Sequence, residues 1–457
     1  MQKTDKPIQL APDVYVVHHG GKNTVTGSCH ELMIGQDSIL IDCGLFQGED
    51  AGGKRLDIEF SIKKVRALVL THAHIDHIGR LPWLLAAGFR GPIYCTQATA
   101  HLVPLMLEDG LKLQLGLNRY QRTRILDLVS KHLYPVSYGT WIPVKAPNRA
   151  YFTYLRFNPA GHILGSAYVE VKLPNHEIAV FSGDLGPSNT PLLPDPVPPK
   201  RADYLFLEST YGDKDHESIA TRSERLLTLI NKSLQNGGVI IIPAFSVGRT
   251  QELLFDIESL LHSHNLNAQL PIIIDSPMAA KVTNAYKQYR KLWSKEAKRK
   301  HAQGRHPLNF KQHVVIDDHR AHLKLVNRLA STGEPAIIIA ASGMCQGGRV
   351  MNYLQALLPD ARTDVIFTGY QAKGTLGRSL QQSASTVLID ESEITVNASI
   401  HTMSGYSAHA GQSDLVNFVK GLDMGLKQLH LIHGEERSKQ ALIKEVTRIL
   451  PSTKLTS

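Results

Sequence analysis

The segment Thr71-His72-Ala73-His74-Ile75-Asp76-His77-Ile78-Gly79 gathers three imidazoles and a carboxylate within six residues. Neutral imidazole and carboxylate are the ligand types zinc takes where one coordination position stays open for chemistry, so the segment points to a catalytic metal. A lone histidine carries little meaning in a chain with 22 of them. Four donors in one short loop invite a shared cation. The run before them, Val65-Arg66-Ala67-Leu68-Val69-Leu70, is apolar and partly β-branched and reads as a buried strand. The stretch from Gly79 to Ala87 reads as a helix start. The donors therefore occupy a strand-to-helix junction, where side chains converge on a cavity and the backbone is anchored on both sides.

Other strand-like runs end on residues of the same chemistry. Ser38-Ile39-Leu40-Ile41-Asp42 ends on a carboxylate. Metal-bound imidazoles usually donate their second N–H to such a group, which makes Asp42 the candidate support for a histidine ligand. His162 stands among small residues between two strand-like runs, and the run from Glu177 ends on Asp184. His72, His74 and His162 can complete one three-nitrogen site, with Asp184 suited to bridge to a second metal held by Asp76 and His77. Near the end of the chain, Leu429-His430-Leu431-Ile432-His433-Gly434 is a strand ending in a histidine of the kind the second metal still lacks, although pattern alone does not return His433 to the first domain. Ser246-Val247-Gly248-Arg249-Thr250 offers helix N–H groups and Arg249 to a phosphate, with plain helix capping as the alternative.

These elements need a large scaffold, and 457 residues exceed what one core usually supports, so two domains are expected. Residues 8–44 read as an antiparallel opening with a hairpin at Gly35-Gln36-Asp37, and 97–145 as mainly helical. From Ala202 the texture becomes alternating strands and helices, beginning with Tyr204–Glu208, which predicts a separate α/β domain. Lys287 to His306, with Lys298-Arg299-Lys300-His301, reads either as a solvated face or as an RNA-steering surface. A net charge of +9 permits an anionic partner. Four cysteines without a Cys-x-x-Cys pair fit a reducing compartment. Met1 to Pro7 lacks a signal-peptide core and no later run is long enough to span a bilayer, so the reading is a soluble cytoplasmic protein with no membrane partner.

Taken in order, the motifs resemble those of the β-CASP nucleases of the metallo-β-lactamase superfamily. His72 to His77, His162 and Asp184 resemble the lactamase-fold metal motifs. Glu208-Ser209-Thr210-Tyr211-Gly212, Ser407-Ala408-His409-Ala410 and Ile432-His433-Gly434 resemble the β-CASP motifs. The pattern is most similar to the RNA-processing branch that includes the nuclease subunit of the cleavage and polyadenylation specificity factor and its bacterial relatives. The resemblance implies an α/β fold: a four-layered αβ/βα sandwich formed by 1–207 and 396–457, an inserted β-CASP domain at 208–395, and an active-site cleft between them. It implies two Zn2+, with Mn2+ as a substitute, one held by His72, His74 and His162, the other by Asp76, His77 and His433, and both by Asp184. It makes His409 the general acid, oriented and charged by Glu208, and places Ser407 on the scissile phosphate. His433 favours RNA, because the resembling DNA-repair members carry an apolar residue there. Single-stranded RNA is thus the expected partner, and a homodimer the expected assembly. A small-ester hydrolase of the same fold and a non-catalytic RNA-processing scaffold are the competing readings; the inserted domain with the Glu208/His409 pair argues against the first and the full ligand set against the second.

Overall fold

A computed structural model describes residues 6–53, 56–147, 149–266, 270–422, 425–451 and 453–456. Residues 1–5, most of the stretch read above for a signal peptide, lie outside the described residues. The chain divides into two compact units, Met1–Ser188 with Pro194–Asp215 and His409–Ser457, and Asn189–Leu193 with His216–Ala408.

The first unit holds two seven-stranded sheets. One runs, in spatial order, Ile8–Ala11, Val14–Gly20, Cys29–Ile34, Asp37–Ile41, Val65–Val69, Ile93–Thr96 and Leu133–Val136. The other runs Lys454–Thr456, Gln428–Ile432, Tyr204–Glu208, Ile178–Phe181, Ala167–Lys172, Arg149–Pro159 and Ile142–Ala146. Alternate residues of each point inward: Val16, Leu32, Ile39, Ile41 and Val69 from the first sheet share one buried core with Phe157, Val169, Phe181 and Phe206 from the second. The intervening positions are apolar too, because helices cover both outer faces. Leu205, Leu207, Leu429 and Leu431 bury against Leu415 and Phe418 of the helix Gln412–Lys420 and Leu442 and Val446 of Glu436–Ile449. Leu40, Leu68 and Ile93 are likewise buried on the far side of the first sheet, where the helix Gln97–Leu115 packs along Ile93–Thr96 and Leu133–Val136. This is the αβ/βα sandwich that the resemblance implied.

The second unit contains a six-stranded parallel sheet in the order His313–Val315, Ile272–Asp275, Ala336–Ala340, Val239–Pro243, Asp364–Phe367 and Ser399–Thr402. Its central strands are nearly continuous Ile and Val because both faces are covered. No described helix in either unit is long and apolar enough to cross a membrane.

Three expectations differ from the structure. The helical reading of 97–145 holds only as far as His132; Leu133–Val136 and Ile142–Ala146 are strands, the first an edge strand where Pro135 is tolerated. Tyr204–Glu208 belongs to the sandwich rather than to the α/β domain, paired in parallel with both Ile178–Phe181 and Gln428–Ile432. A strand buried on both faces looks alike in either sheet. Residues 399–402, read as part of the sandwich, pair instead with Asp364–Phe367 in the second unit's sheet.

Candidate metal centre and active site

The seven expected metal ligands all lie in the first unit, on loops that leave strands of its two sheets. His72 and His74 follow Val65–Val69, and His77 sits on the single turn Ile75–Ile78. His162 follows Arg149–Pro159, Asp184 follows Ile178–Phe181, and His433 follows Gln428–Ile432. Two close approaches hold these loops. A Cβ on Gly44 would lie 1.5 Å from the Asp76 carbonyl oxygen, and one on Gly183 would lie 2.6 Å from Thr71 Cβ.

His74 Nδ1 lies 3.0 Å from His72 Nε2 and 3.0 Å from His162 Nε2. Asp184 Oδ2 closes this first set at 3.5 Å from His72 Nε2 and 3.6 Å from His162 Nε2. Its other oxygen, Oδ1, belongs to the second set, 3.4 Å from His77 Nε2 and 3.5 Å from His433 Nδ1. Asp76 Oδ2 lies 3.7 Å from His77 Nε2 and 3.5 Å from His433 Nε2. One carboxylate thus faces both groups.

Burial drives the His72 imidazole well below its ordinary range and His74 to about 4, so both present neutral rings with lone pairs. Burial acts against a charge on His77 as well, but the carboxylates of Asp184, Asp42 and Asp76 outweigh it and hold the ring well above the usual imidazole value. Burial opposes ionisation of Asp184, yet His433, His77 and His72 keep it well below the usual carboxylate range.

The donor set fits divalent cations. His77 Nε2, Asp184 Oδ1 and His433 Nε2 are buried with no hydrogen-bond partner among the described residues, and the ligand atoms of each donor set lie within 4.8 Å of one another. A tetrahedral zinc with Zn–N of about 2.0–2.1 Å spaces its nitrogen ligands by roughly 3.3 Å, close to the separations found here.

Beside these sets, His409 Nδ1 lies 3.2 and 3.3 Å from the two oxygens of Glu208 and 3.9 Å from Asp184 Oδ2. Glu208 is fully buried at the end of its strand, fixed by the Leu185 N–H, which donates to Oε1 at 2.7 Å. Burial disfavours a charged His409, but Glu208 and Asp184 more than offset it and raise its pKa.

Three family models match the chain: the metallo-β-lactamase superfamily over residues 27–149, the β-CASP domain over 250–380, and the Zn-dependent metallo-hydrolase RNA specificity domain over 393–450. Ribonuclease TTHA0252 of Thermus thermophilus is 37% identical over 94% of this chain and 95% of its own length. The chain belongs to the β-CASP family of metal-dependent nucleases. Transcription termination factor FttA of Methanocaldococcus jannaschii is 31% identical over 91% of this chain, which spans 66% of that longer protein. The FttA of Pyrococcus abyssi is 34% identical over 84% of this chain and 59% of its own length. A solved protein of unknown function from Enterococcus faecalis V583 shares the fold with a TM-score of 0.52 at 13% identity, over 97% of each chain.

Within this β-CASP chain, Asp42 Oδ2 stands 2.7 Å from His77 Nδ1. Arg249 and Ser407 fall in the second unit. Arg249 begins the helix Arg249–Ser263 with a buried side chain, and the Gly248 N–H before it donates to the Gln251 side chain at 2.8 Å. Ser407 is buried and donates its N–H to the Ser404 carbonyl at 2.8 Å. Lys298 and Arg299 are exposed on the helix Lys295–Ala302, whereas Lys300 packs over Phe255 and pairs with Glu296 at 2.9 Å. Sequence reasoning gave no role to Thr71 or Thr210, although both stand inside the motifs it used. Their hydroxyls lie 3.0 Å from His72 Nδ1 and 3.2 Å from His433 Nδ1.

Proposed function

We propose that the protein is a two-zinc ribonuclease that hydrolyses phosphodiester bonds of single-stranded RNA, with manganese as an alternative metal. The observation that carries this reading is the sharing of Asp184 between two four-residue donor sets, with the His409–Glu208 pair alongside. In the proposed arrangement His72, His74 and His162 hold one ion, Asp76, His77 and His433 the other, and Asp184 both. Bound there, the ions would supply Lewis acidity, neutralise phosphate charge and lower the pKa of water.

The chain's own contribution is proton control and orientation. Glu208 takes the Nδ1 hydrogen of His409, favours the imidazolium and leaves the second proton on Nε2. As the oxygen of the attacking water, which gives up a proton to solvent, bonds to phosphorus and the P–O3′ bond breaks, the His409 proton passes to the departing oxygen, which leaves as a hydroxyl rather than an alkoxide. Arg249 and Ser407 are the proposed contacts to RNA. The RNA preference rests on the name of the ribonuclease relative, on the match of residues 393–450 to the RNA specificity domain model and on His433 at its motif position. RNA processing or transcription termination in the cytoplasm is the proposed setting, and a homodimer the proposed assembly.

Cleavage of matched, end-labelled single-stranded RNA and DNA by metal-replete protein, with Asp184→Ala in parallel, tests the reading. RNA products that disappear in the variant are the expected outcome. Equal behaviour of wild type and variant would overturn it in favour of a scaffold or a small-ester hydrolase.

A further inference from the structure

A histidine in a metal site must turn a lone pair toward the cation, and the partner of its other ring nitrogen decides which one does so. Asp42 serves His77 in this way, with Oδ2 at 2.7 Å from Nδ1. The same oxygen accepts the Thr71 hydroxyl at 2.8 Å, while the Thr71 N–H donates to Asp42 Oδ1 at 2.8 Å. A hydroxyl has one proton to give. With that proton on Asp42, Thr71 Oγ1 can meet His72 Nδ1, 3.0 Å away, only as an acceptor. The ring hydrogen is then on Nδ1, and the lone pair is on Nε2, the atom 3.0 Å from His74 Nδ1.

Thr210 repeats the arrangement on the other set. Its hydroxyl donates to the His433 carbonyl at 3.1 Å and so accepts from His433 Nδ1 at 3.2 Å. The lone pair falls on Nε2, which is buried, has no hydrogen-bond partner among the described residues and lies 3.5 Å from Asp76 Oδ2.

We propose that Thr71 and Thr210 are positioning residues that fix the ligating tautomers of His72 and His433, one in each donor set. Thr71 together with Asp42 forms a hydrogen-bonded bridge from His72 to His77, so one hydroxyl supports both sets. The inference rests on the metal-dependent reading above. With the Thr210 hydroxyl removed, Asp184 Oδ1, 3.5 Å from His433 Nδ1, is an acceptor that would compete for its hydrogen and draw on the shared carboxylate.

The test is a zinc titration of stripped protein against a chromophoric chelator, for wild type and for Thr71→Val, Thr71→Ser, Thr210→Val and Thr210→Ser. Valine keeps the branched shape without the hydroxyl; serine keeps the hydroxyl. Thr210→Val should bind one ion with wild-type affinity and the other about 10–100-fold more weakly. Thr71→Val should weaken both ions, and the serine variants should bind like wild type. Wild-type affinities in the valine variants, or serine variants as weak as the valine ones, would overturn the proposal. A wild-type protein that takes up no zinc would instead overturn the metal-dependent reading on which it rests.

Discussion

His409 and His433 lie nearly parallel with ring centroids 6.1 Å apart, yet what stands behind each ring sends them to different tasks. Glu208 behind His409 is a full negative charge, which favours the imidazolium and makes the ring a proton donor. Thr210 behind His433 is a neutral hydroxyl, which fixes a hydrogen on Nδ1 without adding charge and leaves a ligand. His409→Ala should therefore lower single-turnover cleavage by about 10²–10⁴-fold, the usual range for losing a positioned general acid. RNA affinity, measured by fluorescence anisotropy, should change little. Normal turnover in this variant would remove His409 from the proton-donor role.

At the scale of elements, the site is a convergence of strand ends, and that convergence decides what the sequence could disclose. The junction from Val65 to Ala86 was legible because its donors and both anchoring elements are consecutive. The membership of His433 in the same site was not legible from pattern. It depends on Gln428–Ile432 pairing with Tyr204–Glu208, and neither strand carries a mark of its neighbour, both being largely buried on both faces. Only the resemblance to a family pointed there. The hydroxyls of Thr71 and Thr210 were invisible for another reason: a threonine beside a motif histidine has many bland roles, and only interatomic distances select one. Gly44 tests how tightly the elements must approach. Its missing Cβ would lie 1.5 Å from the Asp76 carbonyl oxygen and 2.1 Å from its carbon, so the neighbour that must move is backbone. Gly44→Ala should cost about 1–3 kcal/mol as an overpacking change. It should also shrink the rise in melting temperature that zinc produces, because the displaced turn carries Asp76 and His77. A wild-type zinc-induced rise would show that the turn tolerates the displacement.

Across the whole molecule, a net charge of +9 gives any polyanion a reason to approach, but charge held in internal pairs does not reach it. The basic helix Lys295–Ala302 divides on this criterion. Lys300 hydrogen-bonds to Ser259 at 2.9 Å, pairs with Glu296 and lies over Phe255, so its substitution would confound packing with steering. Lys298 and Arg299 are exposed, and neither has an ion-pair partner among the described residues, which makes them the discriminating pair. If both reach phosphates, each releases counterions on binding, and for single strands each contact adds about 0.7 to the slope of log affinity against log salt. The double variant Lys298→Glu, Arg299→Glu, made in an Asp184→Ala background to prevent cleavage, should then reduce the magnitude of that slope by about 1.4 between 50 and 200 mM salt. It should weaken binding uniformly across RNA sequences, since phosphate contacts position a strand without reading it. An unchanged slope would assign the helix to ordinary solvation and leave RNA attraction to other cations of the chain.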